Sequence, residues 1–259
     1  MTDPLIACMQ KLKLAWMLEN HEAELADAAR LNRSHHDLLL RLLAGELDAA
    51  QARSIQRRVS LARLPARRTL DTFDWNWPTQ INRDQIQHLF SLAFLRARQN
   101  VVFVGTVGLG KTHLAIALAQ EVCQHNHSVL FTSAVNIINT LAEAKAANRF
   151  RQAMRRYVAP ELVVVDELGY LPVDRVGAEL LFQVLGERYE KGSTVITTNR
   201  PYKHWARTFA NDATLTSAVL DRVVHHCETV VITGKSYRLK DRIAHQDDLP
   251  DPADQADAD

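Results

Sequence analysis

The sequence predicts an α/β fold in which a three-layer core surrounds a parallel sheet and a small all-helical domain precedes that core. Two patterns predict the core: short apolar runs with the composition of strands buried on both faces, and helical patterns that alternate with these runs. A third pattern, apolar residues at helical spacing before residue 70, predicts the helical domain. At 259 residues, the chain is long enough to bury a sizeable core.

The N-terminal helical domain is expected to span residues 1–70. Ser34-His35-His36-Asp37 predicts a helix start, because a serine followed three residues later by an acid is a capping-box pattern. A separate third helix is predicted over residues 51–64, and Pro65 is expected to end it. Helical spacing is also seen at Leu5, Met9, Leu12 and Trp16.

Six arginines and no acidic residue lie between Ala49 and Leu70, namely Arg53, Arg57, Arg58, Arg63, Arg67 and Arg68. Arginine at this density on a small helical element is typical of a surface that contacts the nucleic-acid backbone. Arg53, Arg57 and Arg58 are therefore candidate DNA-binding residues. The alternative is a solvated helix face, but the missing acids leave no ion pairs to explain the cluster.

Residues 71–80 are expected to form an aromatic linker. Its large rings, including Phe73, Trp75 and Trp77, indicate packing onto a domain surface. The α/β domain is then expected over residues 81–245. Residues 246–259 are rich in Asp, Pro and Ala and resemble a disordered acidic tail.

A glycine-rich segment follows the apolar run Asn100–Val104 and precedes a helical pattern. Glycines let successive backbone N–H groups turn inward around phosphates, and the following helix points its positive dipole end at the same charge. We expect Lys111 to reach the β- and γ-phosphates of a nucleotide and the Thr112 hydroxyl to hold Mg²⁺. The strand and helix patterns on either side disfavour a mere glycine turn. The candidate nucleotide contacts are Gly105, Thr106, Val107, Gly108, Leu109, Gly110, Lys111, Thr112 and His113.

An acidic pair, Asp166-Glu167, directly follows the apolar run Leu162–Val165. Mg²⁺ bound to a nucleotide needs a carboxylate, and Asp166 is the candidate. Glu167 is predicted to polarise the water that attacks the γ-phosphate, which favours hydrolysis over transfer to a small acceptor. An acidic pair that only starts a loop is the alternative.

Asn199 stands at the end of another apolar strand pattern, residues 193–198. In an open parallel sheet the carboxyl ends of the strands face the ligand crevice. Asn199 is therefore a candidate to hold the attacking water or to sense the γ-phosphate. Taken alone, an Asn before Arg-Pro is more often a turn residue.

A helical insertion is predicted from Ala134 to Tyr157, between two strands. Its second half is strongly basic, and only Glu143 opposes the basic residues. This pattern is typical of a second contact with nucleic acid. The alternative that stays open is an exposed crossover helix, which would also be charged but would usually mix signs. The candidate residues are Lys145, Arg149, Arg151, Arg155 and Arg156.

Composition excludes several classes of protein. A net charge of +1 predicts no general affinity for polyanions, so DNA contact must come from local clusters. The three cysteines have neither metal-ligand nor disulfide spacing, and are typical of reduced thiols in a cytoplasmic protein. The first residues lack the pattern of a signal peptide, and no apolar run approaches membrane-spanning length. No membrane association is expected.

Together these motifs resemble the ATP-binding helper proteins of bacterial insertion sequences, the IstB family, in the DnaC and DnaA branch of the AAA+ P-loop ATPases. The resemblance covers the chain to about Arg242. It rests on five segments: Gly110–Ala115, Asp166–Pro172, Thr198–Pro201, Leu220–Arg222 and Ser236–Lys240.

The resemblance implies an AAA+ core that binds ATP and Mg²⁺, assembles around duplex DNA as a homo-oligomer, and recruits or activates a transposase similar to IstA. It further implies that Arg222 supplies an arginine finger to the ATP of the next subunit. Arg238 is implied to be a second sensor arginine. The implied function is that of a DNA-dependent ATPase that selects the target and activates the transposase.

Three alternatives stay open. A replicative helicase loader of the DnaC type shares the core, but its first domain grips a helicase. A nucleotide-switched binding protein uses ATP to toggle assembly without meaningful turnover. A small-molecule kinase is disfavoured, because Glu167 and a trans arginine have no natural place in one.

Overall fold

The structure is a computed structural model that describes residues 3–237. The chain divides into two compact units, Met1–Arg58 and Val59–Asp259. No helix among the described residues combines the length and the apolar character that crossing a membrane requires.

The first unit is helical, as predicted. Its helices are α1 (Pro4–Lys11), α2 (Ala15–Arg30) and α3 (His35–Ala62), the last of which continues into the second unit. Ser34 starts α3 as expected, because its Oγ accepts a hydrogen bond from Asp37 N at 3.1 Å. The prediction of a separate helix from residue 51 is wrong: Asp48-Ala49-Ala50 contains no helix breaker, so α3 runs through the expected gap.

Close packing holds α2 against α3 within this unit. Gly45 lies against the ring of Trp16, where an added Cβ would come within 2.3 Å of the ring. Arg41 Nε donates to Glu24 Oε2 at 2.7 Å, which links the same two helices. Several leucines of α3 nevertheless stay exposed, namely Leu39, Leu40, Leu43 and Leu47.

The second unit alternates helices and strands. Its strands are β1 (Asn100–Val104), β2 (Val129–Ser133), β3 (Leu162–Leu168), β4 (Ser193–Thr198) and β5 (Cys227–Val231). Its further helices are α4 (Arg83–Phe90), α5 (Ala93–Arg96), α6 (Lys111–Gln124), α7 (Ala134–Ala146), α8 (Phe150–Val158), α9 (Arg175–Arg188) and α10 (Ala213–Val224).

All five strands are parallel, in the order β2-β3-β4-β1-β5. Successive residues of one strand belong to different cores: Val101 and Phe103 pack with α6, whereas Val102 packs with α7 and α9. Helices therefore cover both faces of the sheet. This confirms the predicted three-layer α/β core.

The predicted insertion between β2 and β3 is two helices rather than one. Helix α7 ends at Ala146, and α8 begins at Phe150 with Arg149 at its N-cap. Asn148 between them has φ of +54°, a left-handed conformation that asparagine tolerates better than most residues. This residue ends α7 and reorients the chain before α8.

Arg188, the last residue of α9, is a buried cation at the amino end of the sheet. It is 2% exposed, and burial lowers its pKa to about 10, so it remains charged at neutral pH. Backbone carbonyls surround the guanidinium in place of a carboxylate. They belong to Tyr157, Val158, Pro160, Glu161 and Ser193, and the Thr194 hydroxyl adds a sixth contact.

Replacing Arg188 with methionine should reduce the free energy of unfolding by about 3–5 kcal/mol, because the carbonyls would lose a buried donor with no water to replace it. Urea denaturation followed by circular dichroism measures this loss. The exposed Arg175→Met, which breaks only the Arg175–Glu179 pair, should change stability by less than about 1 kcal/mol. Similar losses in both variants would contradict a structural role for Arg188.

Candidate functional site

The glycine-rich loop lies between β1 and α6 at the carboxyl end of the sheet, where the sequence predicts it. Gly105 N donates to Thr198 O of β4 at 3.2 Å, and an added Cβ on Gly105 would lie 2.3 Å from Ile232 O. Gly108 and Gly110 have φ of +82° and +83°, a region that strongly favours glycine. The loop therefore needs its glycines for both conformation and space.

Lys111 and Thr112 open helix α6. Lys111 Nζ donates to Thr106 O at 2.6 Å, which holds the ammonium over the loop. Thr112 Oγ1 donates to Asp166 Oδ1 of β3 at 3.0 Å. A hydroxyl and a carboxylate from two segments thus meet at the loop, and oxygen ligands of this kind are those that Mg²⁺ prefers.

Thr197 of β4 completes the environment of Asp166, and the sequence reasoning missed it. Its Oγ1 donates to Asp166 Oδ1 at 2.5 Å and accepts from Glu167 N at 3.0 Å. Asp166 itself is only 8% exposed. The signal in the sequence was weak, because a threonine two residues before Asn199 is an ordinary strand residue.

Glu167 sits at an irregularity in the sheet. The register between β3 and β4 shifts between Val165 and Leu168, and Glu167 has φ of +59°. A left-handed glutamate is uncommon, and such strain is found most often at functional sites. The bulge leaves the Glu167 side chain exposed, beside the buried Asp166.

Asn199 follows β4, as predicted. Its side-chain oxygen Oδ1 is buried and has no hydrogen-bond partner among the described residues. A buried acceptor without a donor is costly unless another group, such as a water, satisfies it. Asn199 therefore has an acceptor available beside the end of the strand.

A cleft of about 510 Å³ adjoins the loop and is lined partly by the aromatic segment that precedes the α/β domain. Phe73 is 7% exposed and contacts Gly110, where an added Cβ would lie 2.6 Å from its ring. The predicted packing of this segment onto a domain surface is confirmed. Its contact with the loop itself was not predicted. The lining includes Arg68, Phe73, Trp77, His113 and Tyr237.

His113 connects α6 to the same segment. Its Nε2 lies 3.1 Å from Thr69 O and 3.3 Å from Thr72 Oγ1, and its ring packs edge-on against Phe73 with centroids 5.5 Å apart. Burial lowers its pKa, although the contact with Thr69 O opposes that shift. The neutral form of His113 is therefore favoured in the cleft.

The segment after β5 also touches the loop. Tyr237 N donates to Gly108 O at 2.8 Å, and Trp77 Nε1 donates to Lys235 O at 2.8 Å. Trp77 and Tyr237 pack edge to face, with ring centroids 5.6 Å apart. Arg238, the predicted second sensor, and the predicted acidic tail lie outside the described residues.

Arg222 lies far from the loop of its own chain. Its carbonyl accepts from Asn100 Nδ2 at 3.5 Å, at the amino end of β1, whereas the loop follows the carboxyl end of that strand. Its guanidinium carbon is 4.5 Å from the centroid of the Phe182 ring, and Nη1 donates to Ala218 O at 3.1 Å. These contacts hold the side chain at the edge of the sheet opposite the loop.

The arginines of α3 are not all without an acidic partner. The expectation that no ion pair explains them is wrong for Arg53, whose Nη2 donates to Glu46 Oε1 at 2.7 Å. Glu46 precedes the stretch in which acids are absent. It lies seven residues, about two turns, before Arg53, so the two side chains share a face of α3. Arg57 is exposed and makes no ion pair within residues 3–237, while Arg58 has a contact in the structure.

The basic residues of the insertion lie at the end of α7 and along α8. All five are exposed, and none forms an ion pair with another described residue. Glu143 does not neutralise them. This cluster comprises Lys145, Arg149, Arg151, Arg155 and Arg156.

A model of the IstB-like ATP binding protein family matches residues 7–245. The chain is 35% identical over 232 residues to the ATP-binding protein of insertion sequence IS5376 from Geobacillus stearothermophilus, covering 90% of this chain and 92% of that protein. It is 36% identical over 234 residues to the ATP-binding protein of insertion sequence IS21 from Pseudomonas aeruginosa, covering 90% and 88%.

Solved structures support the fold. The DnaC helicase loader has a TM-score of 0.52 and 22% identity, with 64% of this chain and 96% of that chain covered. AMPPCP-bound DnaA from Aquifex aeolicus has a TM-score of 0.56 and 16% identity, with coverage of 72% and 57%. With its glycine-rich loop, its acidic strand end and its match to the family over most of its length, the chain belongs to the IstB-like ATP-binding proteins.

Proposed function

We propose that this protein is a Mg²⁺-dependent ATPase that oligomerises on duplex DNA, selects a target and activates a partner transposase. The observation that carries the proposal is the separation of two half-sites: Lys111, Thr112, Asp166 and Glu167 meet at one end of the sheet, and Arg222 is held at the other. A hydrolytic site divided in this way is completed by a second copy.

Hydrolysis follows from the groups at the carboxyl end. Glu167 accepts a proton from the attacking water, and the buried Asn199 Oδ1 accepts a hydrogen bond that orients that water. Lys111 binds the β- and γ-phosphates. Thr112 and Asp166 would hold Mg²⁺, which neutralises charge on those phosphates when bound.

Assembly follows from the position of Arg222. The five residues of β1 separate its end of the sheet from the loop by roughly 15 Å, so the side chain cannot reach the nucleotide bound to its own chain. An arginine supplied by the next copy stabilises the charge that develops in phosphoryl transfer. Nucleotide state then controls how copies associate.

The transposase partner is supported by the relatives, which are named as ATP-binding proteins of insertion sequences. DNA contact is supported by two sets of basic residues, all of them exposed except the half-buried Arg58. The N-terminal set is Arg53, Arg57 and Arg58, with Arg53 weakened as a candidate by its pairing with Glu46. The second set is the cluster on α7 and α8.

Steady-state ATP hydrolysis, measured with and without duplex DNA, tests the enzymatic proposal. We expect turnover that depends on Mg²⁺ and rises when DNA is added. Binding of ATP without turnover in either condition would identify a nucleotide-switched binding protein instead. Pull-down assays with the transposase and with a replicative helicase distinguish the proposed transposase partner from the helicase of the alternative function.

Removal of exposed arginines tests the DNA contact. Arg57→Gln should reduce the slope of log affinity against log salt by about 0.9, and the triple variant with Arg149→Gln and Arg156→Gln by about 2.7, because each lost phosphate contact releases one fewer counterion. Fluorescence anisotropy of a labelled duplex across a salt series gives the slope. Arg30→Gln removes the same charge from α2 and should leave the slope unchanged. An unaltered slope in the triple variant would exclude these surfaces.

A further inference from the structure

A cavity of about 680 Å³ opens at the amino end of the sheet, between α8, α9 and α10. Its wall combines apolar side chains, including Phe150, Met154 and Phe182, with three arginines. The arginines are Arg151 and Arg155 of α8 and Arg222 of α10.

The charge of this cavity is poorly compensated by the chain itself. None of the three arginines forms an ion pair with any residue in the range 3–237. Glu187 is the one acidic residue among the described residues of the lining, and it pairs with Lys191 at 3.2 Å. Three guanidinium groups beside apolar walls focus a positive potential that attracts a compact anion.

The cavity also divides the basic cluster of α8 into two faces. Arg151 and Arg155 are four residues apart, so they share a face of the helix, and both line the cavity. Arg156 is turned by about 100° from Arg155 and lies over the Tyr157 ring, with its guanidinium carbon 5.9 Å from the ring centroid. Arg149, at the N-cap, is also absent from the lining that the structure describes.

We propose that Arg151 and Arg155 act together with Arg222 as a three-arginine receptor for the terminal phosphates of the ATP held by the neighbouring copy. This inference rests on the proposed oligomeric ATPase and names two further residues of its shared site. It takes Arg151 and Arg155 out of the proposed DNA contacts, which keep Lys145, Arg149 and Arg156, because these three are absent from the lining that the structure describes. Convergence of three arginines from two helices on one recess suits a compact, multiply charged triphosphate. A DNA backbone is recognised instead by basic groups spread along an extended surface.

The anchored Arg222 sets the geometry, and the two α8 arginines add charge. Phe182 and Ala218 O hold Arg222 in place, so little side-chain freedom is lost on binding. Arg151 and Arg155 are exposed and free to move toward the phosphates. Because phosphate charge is shared among the three arginines, removal of the α8 pair should weaken both assembly and turnover.

The test compares the full-length protein with the variant Arg151→Gln/Arg155→Gln. At saturating ATP and DNA we expect turnover to fall at least about tenfold, which is less than the roughly 10³–10⁵-fold of an arginine finger because Arg222 remains in place. ATP affinity in dilute, unassembled protein and the salt slope of DNA binding should stay as in the parent. The control Lys203→Gln/Arg207→Gln removes two exposed positive charges elsewhere in the domain and should retain parental turnover.

Mixing variants shows whether the pair acts on a neighbour. The α8 variant keeps an intact ATP site, and Glu167→Gln keeps intact arginines. When the two variants are neighbours in an assembly, the ATP site of the α8 variant can face the intact arginines of Glu167→Gln. The mixture should therefore hydrolyse ATP faster than either variant alone. No gain on mixing would overturn the trans role.

Two other outcomes would overturn the inference. A salt slope lowered by about 1.8 with parental turnover would assign Arg151 and Arg155 to DNA. A parental salt slope together with parental turnover would mean that Arg151 and Arg155 only form a solvated helix face. Arg222→Ala, assayed in parallel, distinguishes failure of this inference from failure of the proposed function. If Arg222→Ala reduces turnover and the α8 variant does not, only the three-arginine receptor is wrong. Parental turnover in Arg222→Ala would instead contradict the proposed ATP site shared between copies.

Discussion

Glu167→Gln should reduce ATP hydrolysis by at least about 100-fold, the contribution typical of a general base, while ATP binding and assembly on DNA persist. Glutamine keeps the size and the backbone position of Glu167 but cannot accept a proton from water. Asp166, Thr112 and Lys111 remain in place, so the phosphate contacts are retained. Phosphate release under steady-state conditions measures the loss, and binding of a labelled ATP analogue measures the affinity.

The substitution Glu167→Gln should change the side-chain chemistry without disturbing the backbone of the bulge. The backbone N–H of residue 167 donates to Thr197 Oγ1, and that bond is independent of the side chain. Glu179→Gln, on the exposed surface of α9, removes one carboxylate without approaching the loop and is the matched control. Parental turnover in Glu167→Gln would refute the proposed chemistry, as would loss of ATP binding, which would give Glu167 a structural role.

Local pattern predicted the elements on which this chemistry depends. Apolar runs identified β1, β3 and β4, and the polar residues that follow them proved to lie at one edge of the sheet because parallel strands share a direction. The glycine spacing predicted the loop, since Gly108 and Gly110 adopt conformations that other residues avoid. These features are encoded within a few neighbouring residues.

Features that depend on distant residues were not predicted. The hydrogen bonds of Thr197 to Asp166 and Glu167 join two strands, and neither strand shows them in its own sequence. The break at Asn148 has no proline or glycine to mark it. Likewise, the ion pair of Arg53 with Glu46 was overlooked because the acid lies outside the stretch that looked uncompensated.

The cavity at the amino end of the sheet was also not predicted from the sequence. It needs Phe150 and Arg151 from α8, Phe182 from α9 and Arg222 from α10, which are brought together only by the packing of three helices. On the sequence alone, the basic residues of α8 form one cluster with one predicted role. Helix geometry separates them, because side chains four residues apart share a face of a helix, whereas side chains one residue apart are turned by about 100°.

Arg222→Ala should reduce turnover of the assembled protein by about 10³-fold or more, the range reported for arginines that act in trans on phosphoryl transfer. ATP affinity of dilute protein should change little, because Arg222 lies at the other end of the sheet from its own loop. The conservative Arg222→Lys should recover only a small part of the activity. A lysine keeps the charge but lacks the planar pair of donors that matches a phosphate.

Concentration dependence distinguishes a trans role from local damage. Turnover per chain of the parent should rise steeply with protein concentration as copies associate. Turnover of Arg222→Ala should stay low even at concentrations where sedimentation shows that the variant has assembled. Loss of the Phe182 contact alone would lower the denaturation midpoint without this kinetic signature. Thermal unfolding of the dilute variant therefore accompanies the assay. Turnover per chain that is independent of concentration in the parent would contradict a site shared between copies, because a complete site within one chain needs no neighbour.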